Sequence, residues 1–254
     1  MSIAGHYLYG FTDRQFQPAD GWRGLAGAPV RAITHRDVSA IVSRHPVQRL
    51  MPSRSNLEPH HRIVRQISSA ATLVPVAFGH ISESEADLLA VLRDNHDEIR
   101  EEIQRLDGKC EMGVKLSWAV DNIFLYFVRR DRELREMRDR AFRNNREPSM
   151  PEKLEIGGRF EAVVKRDRDL SANALMTALS GVASELVASP PRGDKSVCEM
   201  AILIERTAMA AFEAAVQQAA ALFNQDYTIA CSGPWPAYTF VRLRLQRADR
   251  PSAA

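Results

Sequence analysis

The stretch "KCEMGVKLSW", residues Lys109–Trp118, alternates strictly between apolar and other side chains. Successive side chains of a strand point to opposite faces, so this pattern predicts a strand with one face in a core. The core-facing set is Cys110, Met112, Val114, Leu116 and Trp118. Strand and helix patterns are mixed on both sides of this stretch, which predicts an α+β fold.

N-terminal to this stretch, the first half of the sequence contains further strand patterns and two helix patterns. The strand patterns are "HYLYGF" (His6–Phe11), "VRAITH", "VSAIVSRH" and "TLVPVAFGHI" (Thr72–Ile81). Each helix pattern follows a capping box, Ser55 with Glu58 in the first and Ser82 with Glu85 in the second. We therefore predict a ferredoxin-like domain over residues 1–118, with its helices packed on one face of the sheet.

Toward the C-terminus, the order of strand and helix patterns predicts a second α+β domain over residues 119–254, closed by an extended C-terminal tail. Its strand patterns are "NIFLYFV", "SVCEMAILIE" and "YTIACSG", and "VRLRLQR" near the end alternates in the same way. The arginine-rich run after residue 128 interleaves acids at i,i+4 spacing, so we interpret it as a solvated helix rather than a polyanion site. A helical pattern then extends to the Pro190–Pro191 pair, and the low helix propensity of Gly157 and Gly158 favours a break there.

Composition and charge exclude some classes of protein. The 254 residues carry 34 basic and 32 acidic side chains, a net charge of +2, and a nucleic-acid binder needs a larger surplus of cations. The start of the sequence does not resemble a signal peptide, and no apolar run reaches the roughly 20 residues that span a bilayer. We expect a cytoplasmic protein whose cysteines Cys110, Cys198 and Cys231 are reduced core thiols.

No pattern in the sequence predicts catalysis, a cofactor or a metal. The seven histidines all precede residue 97 and lack the spacing of a zinc site. The glycines of "GWRGLAG" match neither a phosphate-binding loop nor a dinucleotide fingerprint, and there is no GxSxG motif. The sequence therefore predicts a protein that is not an enzyme and that binds no cofactor.

The segment "GPWPAYTF", residues Gly233–Phe240, concentrates aromatic and proline residues near the C-terminus. Each proline fixes its own φ and favours an extended residue before it, so the segment is stiff and holds the indole in one orientation. Two interpretations stay open: a plug over the end of the second-half sheet, or an aromatic anchor for a partner protein. The candidate residues for either role are Pro234, Trp235, Pro236, Tyr238 and Phe240.

At this segment the sequence resembles the GvpF/GvpL family of gas vesicle accessory proteins. "SGPWPAYTFV" is similar to the family's "tGPWPPYsF" signature, and "LVPVAFGHI" is similar to its "vlPvrFGtv" strand. "YLYGF", "VSAIVSRHP" and "LDGKCEMGVKLSW" also resemble family segments, in the family's order. Ala237 stands where the family usually has proline and Ala77 where it often has arginine.

The resemblance implies a two-domain, non-enzymatic protein of the cytoplasmic gas vesicle, which gives a cell buoyancy. It implies an assembly factor or minor structural component that binds the small hydrophobic shell protein GvpA and other accessory proteins. It does not separate the F-type member from the L-type member. Two alternatives stay open beside it: a regulatory module that binds a small molecule on the ferredoxin-like scaffold, and an enzyme that uses the first-half histidines.

Overall fold

The computed structural model describes residues 4–143 and 146–245, which form seven α-helices, nine strands and three short 3-10 turns in an α+β arrangement. The chain divides into two compact units. Among the described residues, the first unit contains 4–111, 205–207 and 233–245, and the second contains 112–143, 146–204 and 208–232. The predicted division into domains 1–118 and 119–254 stays a prediction.

The first unit is built on a five-stranded antiparallel sheet in the order β2-β3-β1-β4, with β5 also pairing with β1. Its strands are β1 (Ala4–Asp13), β2 (Val30–His35), β3 (Val38–Pro46), β4 (Val74–Pro75) and β5 (Ile81–Ser82). Its helices are α1 (Arg54–Ala70), α2 (Glu85–Asp94) and α3 (His96–Leu106). The long strand predicted over residues 72–81 is thus two short strands at the sheet edge, where Pro75 is tolerated because it lacks an N–H donor.

The strand order agrees with the ferredoxin-like prediction, although the first crossover is a loop rather than a helix. Residues 14–29, which join β1 to β2, contain the short 3-10 turn Leu25–Gly27 and an isolated bridge between Arg23 and Pro29, but no α-helix. This loop is fixed because the Leu25 N–H donates to the Tyr9 hydroxyl at 2.9 Å. Gly24 is required there, since a Cβ at this position would lie 1.9 Å from the Tyr9 oxygen.

Helices cover both faces of this sheet, so the prediction of helices on one face was wrong. Val30 and Ala32 of β2 pack in the cluster that contains Ile63 and Ile67 of α1. Arg31 lies between them and therefore points to the other face, where it donates to Glu85 of α2 at 2.7 Å. Burial on both faces explains why residues 5–12 of β1 are all buried.

The second unit contains most of a four-stranded sheet in the order β7-β8-β6-β9 and four helices. The strands are β6 (Lys109–Trp118), β7 (Glu185–Ser189), β8 (Ser196–Glu205) and β9 (Tyr227–Trp235). The helices are α4 (Ile123–Arg130), α5 (Arg132–Ala141), α6 (Met150–Leu179) and α7 (Met209–Ala220). The alternation predicted for β6 is confirmed, because its five apolar side chains are buried.

Three predictions for this half were wrong in detail. "NIFLYFV" forms the helix α4 rather than a strand, and the Asn122 side chain caps it by accepting from the Leu125 N–H at 2.9 Å. The helix α6 runs unbroken through Gly157 and Gly158 for 30 residues but ends at Leu179, so that Glu185–Ser189 forms β7. Residues 241–245 are not a strand; the rest of "VRLRLQR" lies outside the described residues.

Side chains of β6 and β9 fix the sheet of the second unit to α6. The Trp118 indole N–H donates to the Asp167 carboxylate at 2.9 Å, and the Tyr227 hydroxyl donates to the same oxygen at 2.8 Å. The Arg168 guanidinium lies over the Trp118 ring, 5.2 Å from its centroid. Together these contacts hold α6 on the apolar face of the sheet.

Two further observations concern the cysteines and membrane spans. Cys110 and Cys198 are buried as predicted, whereas Cys231, on the terminal strand β9, is exposed, so the prediction of a core thiol there was wrong. Among the residues that the structure describes, no helix has the length and apolar composition that crossing a bilayer requires.

Candidate functional site

The five residues predicted from the C-terminal segment separate into an exposed group and a buried group. Pro234 and Trp235 form the end of β9 and are exposed; Trp235 retains 41% of its accessible surface. Pro236 is buried, Tyr238 is half-buried, and Phe240 is 3% exposed in the short 3-10 turn Tyr238–Phe240. The Gly233–Pro234 peptide is cis. The change from exposed to buried residues shows that the segment turns inward after Trp235.

A hydrogen-bonded chain of three aromatic side chains anchors the buried group. Nε2 of His60 lies 2.9 Å from the Tyr238 hydroxyl, and Nδ1 of His60 lies 2.8 Å from the Tyr7 hydroxyl. The Gly79 N–H also donates to the Tyr7 oxygen, at 3.2 Å. Since a neutral imidazole has one donor and one acceptor nitrogen, both of its nitrogens are used in this chain. This three-residue chain is called the Tyr7–His60–Tyr238 chain below.

Burial keeps all three groups of the Tyr7–His60–Tyr238 chain uncharged at neutral pH. It lowers the pKa of His60 to about 4, with a smaller contribution from the charge of His61. It also raises the pKa of Tyr7 and of Tyr238 above the ordinary tyrosine value. The enzyme alternative predicts a buried, perturbed cluster of this kind, and both imidazole nitrogens of this one bond to tyrosines. The Tyr7–His60–Tyr238 chain clamps the residues that follow Trp235 to α1 and β1.

A second clamp holds the backbone just after Tyr238. Arg105 of α3 donates to both carboxylate oxygens of Glu102, at 2.9 and 2.8 Å, and also donates to the Phe240 carbonyl. The Arg242 N–H donates to Glu102 at 2.7 Å. Burial acts to raise the pKa of Glu102, but the hydrogen bonds from Arg105 and Arg242 outweigh it, and the pKa is lowered. Glu102 is thus an ionised carboxylate with charge-assisted partners.

Thr239 supplies a third attachment. Its N–H and its hydroxyl donate to the two carboxylate oxygens of Glu111, at 2.8 and 2.7 Å. The contacts of Tyr238, Thr239 and Phe240 are thus with residues of the first unit. The Tyr238 hydroxyl bonds to α1 and the Phe240 carbonyl to α3, whereas Glu111, the partner of Thr239, lies on β6. The plug and the partner-anchor interpretations both stay predictions.

The sequence did not single out His60, Glu102, Arg105 or Glu111 as partners of this segment. His60–His61 stood out as a pair at the start of a helix, where one ring can face the core while the other stays exposed. The structure shows that arrangement, with His60 1% exposed and His61 exposed. Periodicity alone could find this inward position, but it could not find the partner, which is 178 residues away.

The described residues show no arrangement that favours a ligand. No group of three or more His, Cys, Asp or Glu side chains within 4–143 and 146–245 is placed to hold a metal ion. A surface cleft of about 490 Å³ in the first unit is lined by polar residues that include Ser68, Thr72, Asp107 and Arg206. These groups bond to one another, since Thr72 donates to Asp107 and Arg206 donates to Ser68. The small-molecule alternative therefore gains no support from this cleft.

Comparison with known proteins shows which family the chain is similar to. The model of the family described as gas vesicle synthesis protein GvpL/GvpF matches residues 5–242. A gas vesicle protein F from Streptomyces sp. is 28% identical over 242 residues, covering 92% of this chain and 98% of the relative. A gas vesicle protein L from the same organism is 27% identical over 124 residues, covering 43% of this chain and 46% of the relative.

Solved structures show the same fold. The crystal structure of the gas vesicle protein GvpF from Anabaena sp. PCC7120 superposes with a TM-score of 0.81 at 22% identity, covering 95% of this chain and 99% of that one. The GvpF structure from Microcystis aeruginosa gives a TM-score of 0.77 at 23% identity, covering 94% and 99%.

The match over nearly the whole chain defines its class as that of proteins with a role connected with gas vesicles. The chain belongs to the GvpL/GvpF family of gas vesicle synthesis proteins.

Proposed function

We propose that this chain is a gas vesicle accessory protein, an assembly factor or minor structural component that binds the small hydrophobic shell protein GvpA during vesicle formation. It works in the cytoplasm, at the gas vesicle, and without catalysis. The observation that carries the proposal is the family match over residues 5–242, together with curated relatives of which 98% and 97% of the length is covered.

Elementary physical chemistry explains why assembly of the shell protein would need such a protein. A shell protein with one face suited to gas exposes apolar surface in water and aggregates before it is assembled. An accessory protein that covers this apolar surface, or presents it at the growing wall, prevents the aggregation. Binding alone is sufficient for this task, and a folded surface with an exposed aromatic anchor supplies it.

The exposed end of β9 is where we place part of this contact. Trp235 retains 41% of its surface and stands between two prolines, while the residues that follow are clamped by His60 and Arg105. A tryptophan held in one orientation loses little conformational entropy on binding. Tyr238 and Phe240 therefore frame the contact by holding the segment, and Trp235 touches the partner.

Deletion of the gene in a vesicle-forming host tests the proposal. We expect loss of vesicle light scattering, and restoration when the gene is supplied on a plasmid. Purified chain should also retain a soluble GvpA fusion on a column, whereas the fusion partner alone should pass through. A deletion strain without paralogues that still forms normal vesicles, together with no retention of GvpA, would overturn the proposal.

A further inference from the structure

The strand β9 is an unusual sheet edge. It is the last strand in the order β7-β8-β6-β9, and residues 227–231, which belong to the second unit, carry no charged side chain. Thr228, Ala230 and Cys231 are exposed, and Tyr227 and Ile229 are half-buried. An edge of this kind offers backbone groups to another strand, with only small exposed side chains beside them.

The other sheet edges in the described part of the chain are protected. β4 and β5 have two residues each, and β4 contains Pro75. β2 carries Arg31, whose guanidinium donates to Glu85. β7 has five residues, begins at Glu185 and is followed by Pro190. Short length, charge and proline are the usual means of preventing edge-to-edge pairing. β9 has nine residues, and its stretch 227–231 contains neither a charged residue nor a proline.

We infer that the edge formed by residues 227–231 of β9 is a β-augmentation site that accepts an uncharged, extended segment of the shell protein. This inference rests on the proposed function and names the surface and the kind of segment. A charged segment would lose hydration beside an edge that offers no counter-charge, whereas an uncharged segment loses little. Backbone hydrogen bonds supply the affinity, and the small, exposed side chain of Ala230 leaves room for a second strand.

An alanine-to-lysine pair tests the edge, because the two edge strands of this sheet each carry an exposed alanine. Ala230→Lys places a charge on β9, and Ala188→Lys places the same charge on β7 as the matched control. We expect Ala230→Lys to weaken capture of a soluble GvpA fusion by about tenfold or more and Ala188→Lys to leave it within about twofold. Circular dichroism and melting temperature should show that both variants fold.

The outcomes separate this inference from the proposed function. If the unaltered chain captures no GvpA, the proposed function fails and the edge assignment fails with it. If all three proteins capture GvpA equally, the function stands and the edge assignment is overturned. If light scattering shows that β9 pairs two copies of this chain and that Ala230→Lys gives monomers without changing GvpA capture, a second copy occupies the edge, and the assignment is also overturned.

Cys231 provides a second readout on the unaltered chain. It is exposed on β9, whereas Cys110 and Cys198 are buried, so a maleimide should modify Cys231 first. Occupation of the edge should slow this modification by about tenfold when the GvpA fusion is present at saturating concentration. The Ala188→Lys variant should show the same protection. Unchanged modification of Cys231 in a complex that has demonstrably formed would contradict the assignment.

Discussion

The Tyr238 hydroxyl lies 2.9 Å from Nε2 of His60, a residue 178 positions earlier in the chain. This bond fastens the C-terminal segment to the helix α1 within the first unit. Because the other imidazole nitrogen bonds to Tyr7 of β1, the same side chain also ties α1 to the sheet. One buried histidine thus connects a helix, a strand and the segment that follows Trp235.

Loss of the Tyr238 hydroxyl should destabilise the protein. Tyr238→Phe keeps the ring but leaves a His60 nitrogen buried without its partner, so we expect the free energy of unfolding to fall by about 1–3 kcal/mol. Urea denaturation measures this change. Thr239→Val is the control, since it removes an exposed hydroxyl contact from the same turn and should cost less than about 1 kcal/mol. Equal losses in the two variants would contradict the role of His60 as the central clamp.

Acid should weaken the same clamp. The pKa of His60 is about 4 in the folded chain against an ordinary value of 6.5, so below pH 6.5 the unfolded chain binds a proton that the folded chain excludes. The contribution of His60 to the free energy of unfolding therefore falls as the pH drops from 6.5 to 4, by on the order of 3 kcal/mol.

The comparison with His60→Gln isolates this effect. Other groups titrate in the same range; the pKa of His96, for example, is raised by its bonds to Asp97 and Asp37 and acts in the opposite direction. The difference in unfolding free energy between the two proteins should be large at pH 7 and should shrink toward pH 4. A difference that stays constant with pH would show that His60 is not buried in its neutral form.

Two aromatic residues of the segment should respond differently to truncation. Phe240 is 3% exposed, so Phe240→Ala should destabilise the fold by about 3–5 kcal/mol. Trp235 is 41% exposed, so Trp235→Ala should change stability by less than about 1 kcal/mol while reducing GvpA capture. Denaturation and column retention measure the two effects separately. Normal capture by folded Trp235→Ala would remove this side chain from the proposed contact.

Glycine replacements in α6 should stabilise the protein. Gly157 and Gly158 lie inside a helix of 30 residues, and a Cβ added at either position meets no atom within 4 Å. Gly157→Ala and Gly158→Ala should each raise the free energy of unfolding by about 0.5–1 kcal/mol, because alanine restricts the unfolded chain and favours helix. Chemical denaturation of each variant measures this gain. Gly24→Ala is the opposite control, since its Cβ would collide with the Tyr9 oxygen and should destabilise.

Local patterns predicted those elements in which one face is buried and the other is not. The alternation of Lys109–Trp118 predicted β6, and its five apolar residues are buried. "NIFLYFV" has no such contrast, because a short apolar run suits a buried strand and a helix equally. In the structure the run forms a helix, which Asn122 caps and which buries Phe127 and Val128. The sequence signal for that choice was the cap residue, which the strand interpretation passed over.

The position of the C-terminal segment needed more than local patterns. Its prolines predicted a stiff segment, but its attachment depends on His60, Glu102, Arg105 and Glu111, which belong to other elements. Nothing in the spacing of these residues marks them as partners. Likewise, the prediction of helices on one face failed because strand patterns do not reveal on which side each following helix packs.

The sequence by itself determined the α+β class, the strand β6, the absence of a recognisable catalytic motif and, through motifs in the family's order, the gas vesicle family. These follow from short-range periodicity and from local residue identity, which need no distant partner. Only the tertiary structure decided that Tyr238 and Phe240 turn inward while Trp235 stays exposed, and that an uncharged stretch of β9 ends the sheet. Burial and hydrogen bonding join groups far apart in the chain, so they become visible only when the chain is folded.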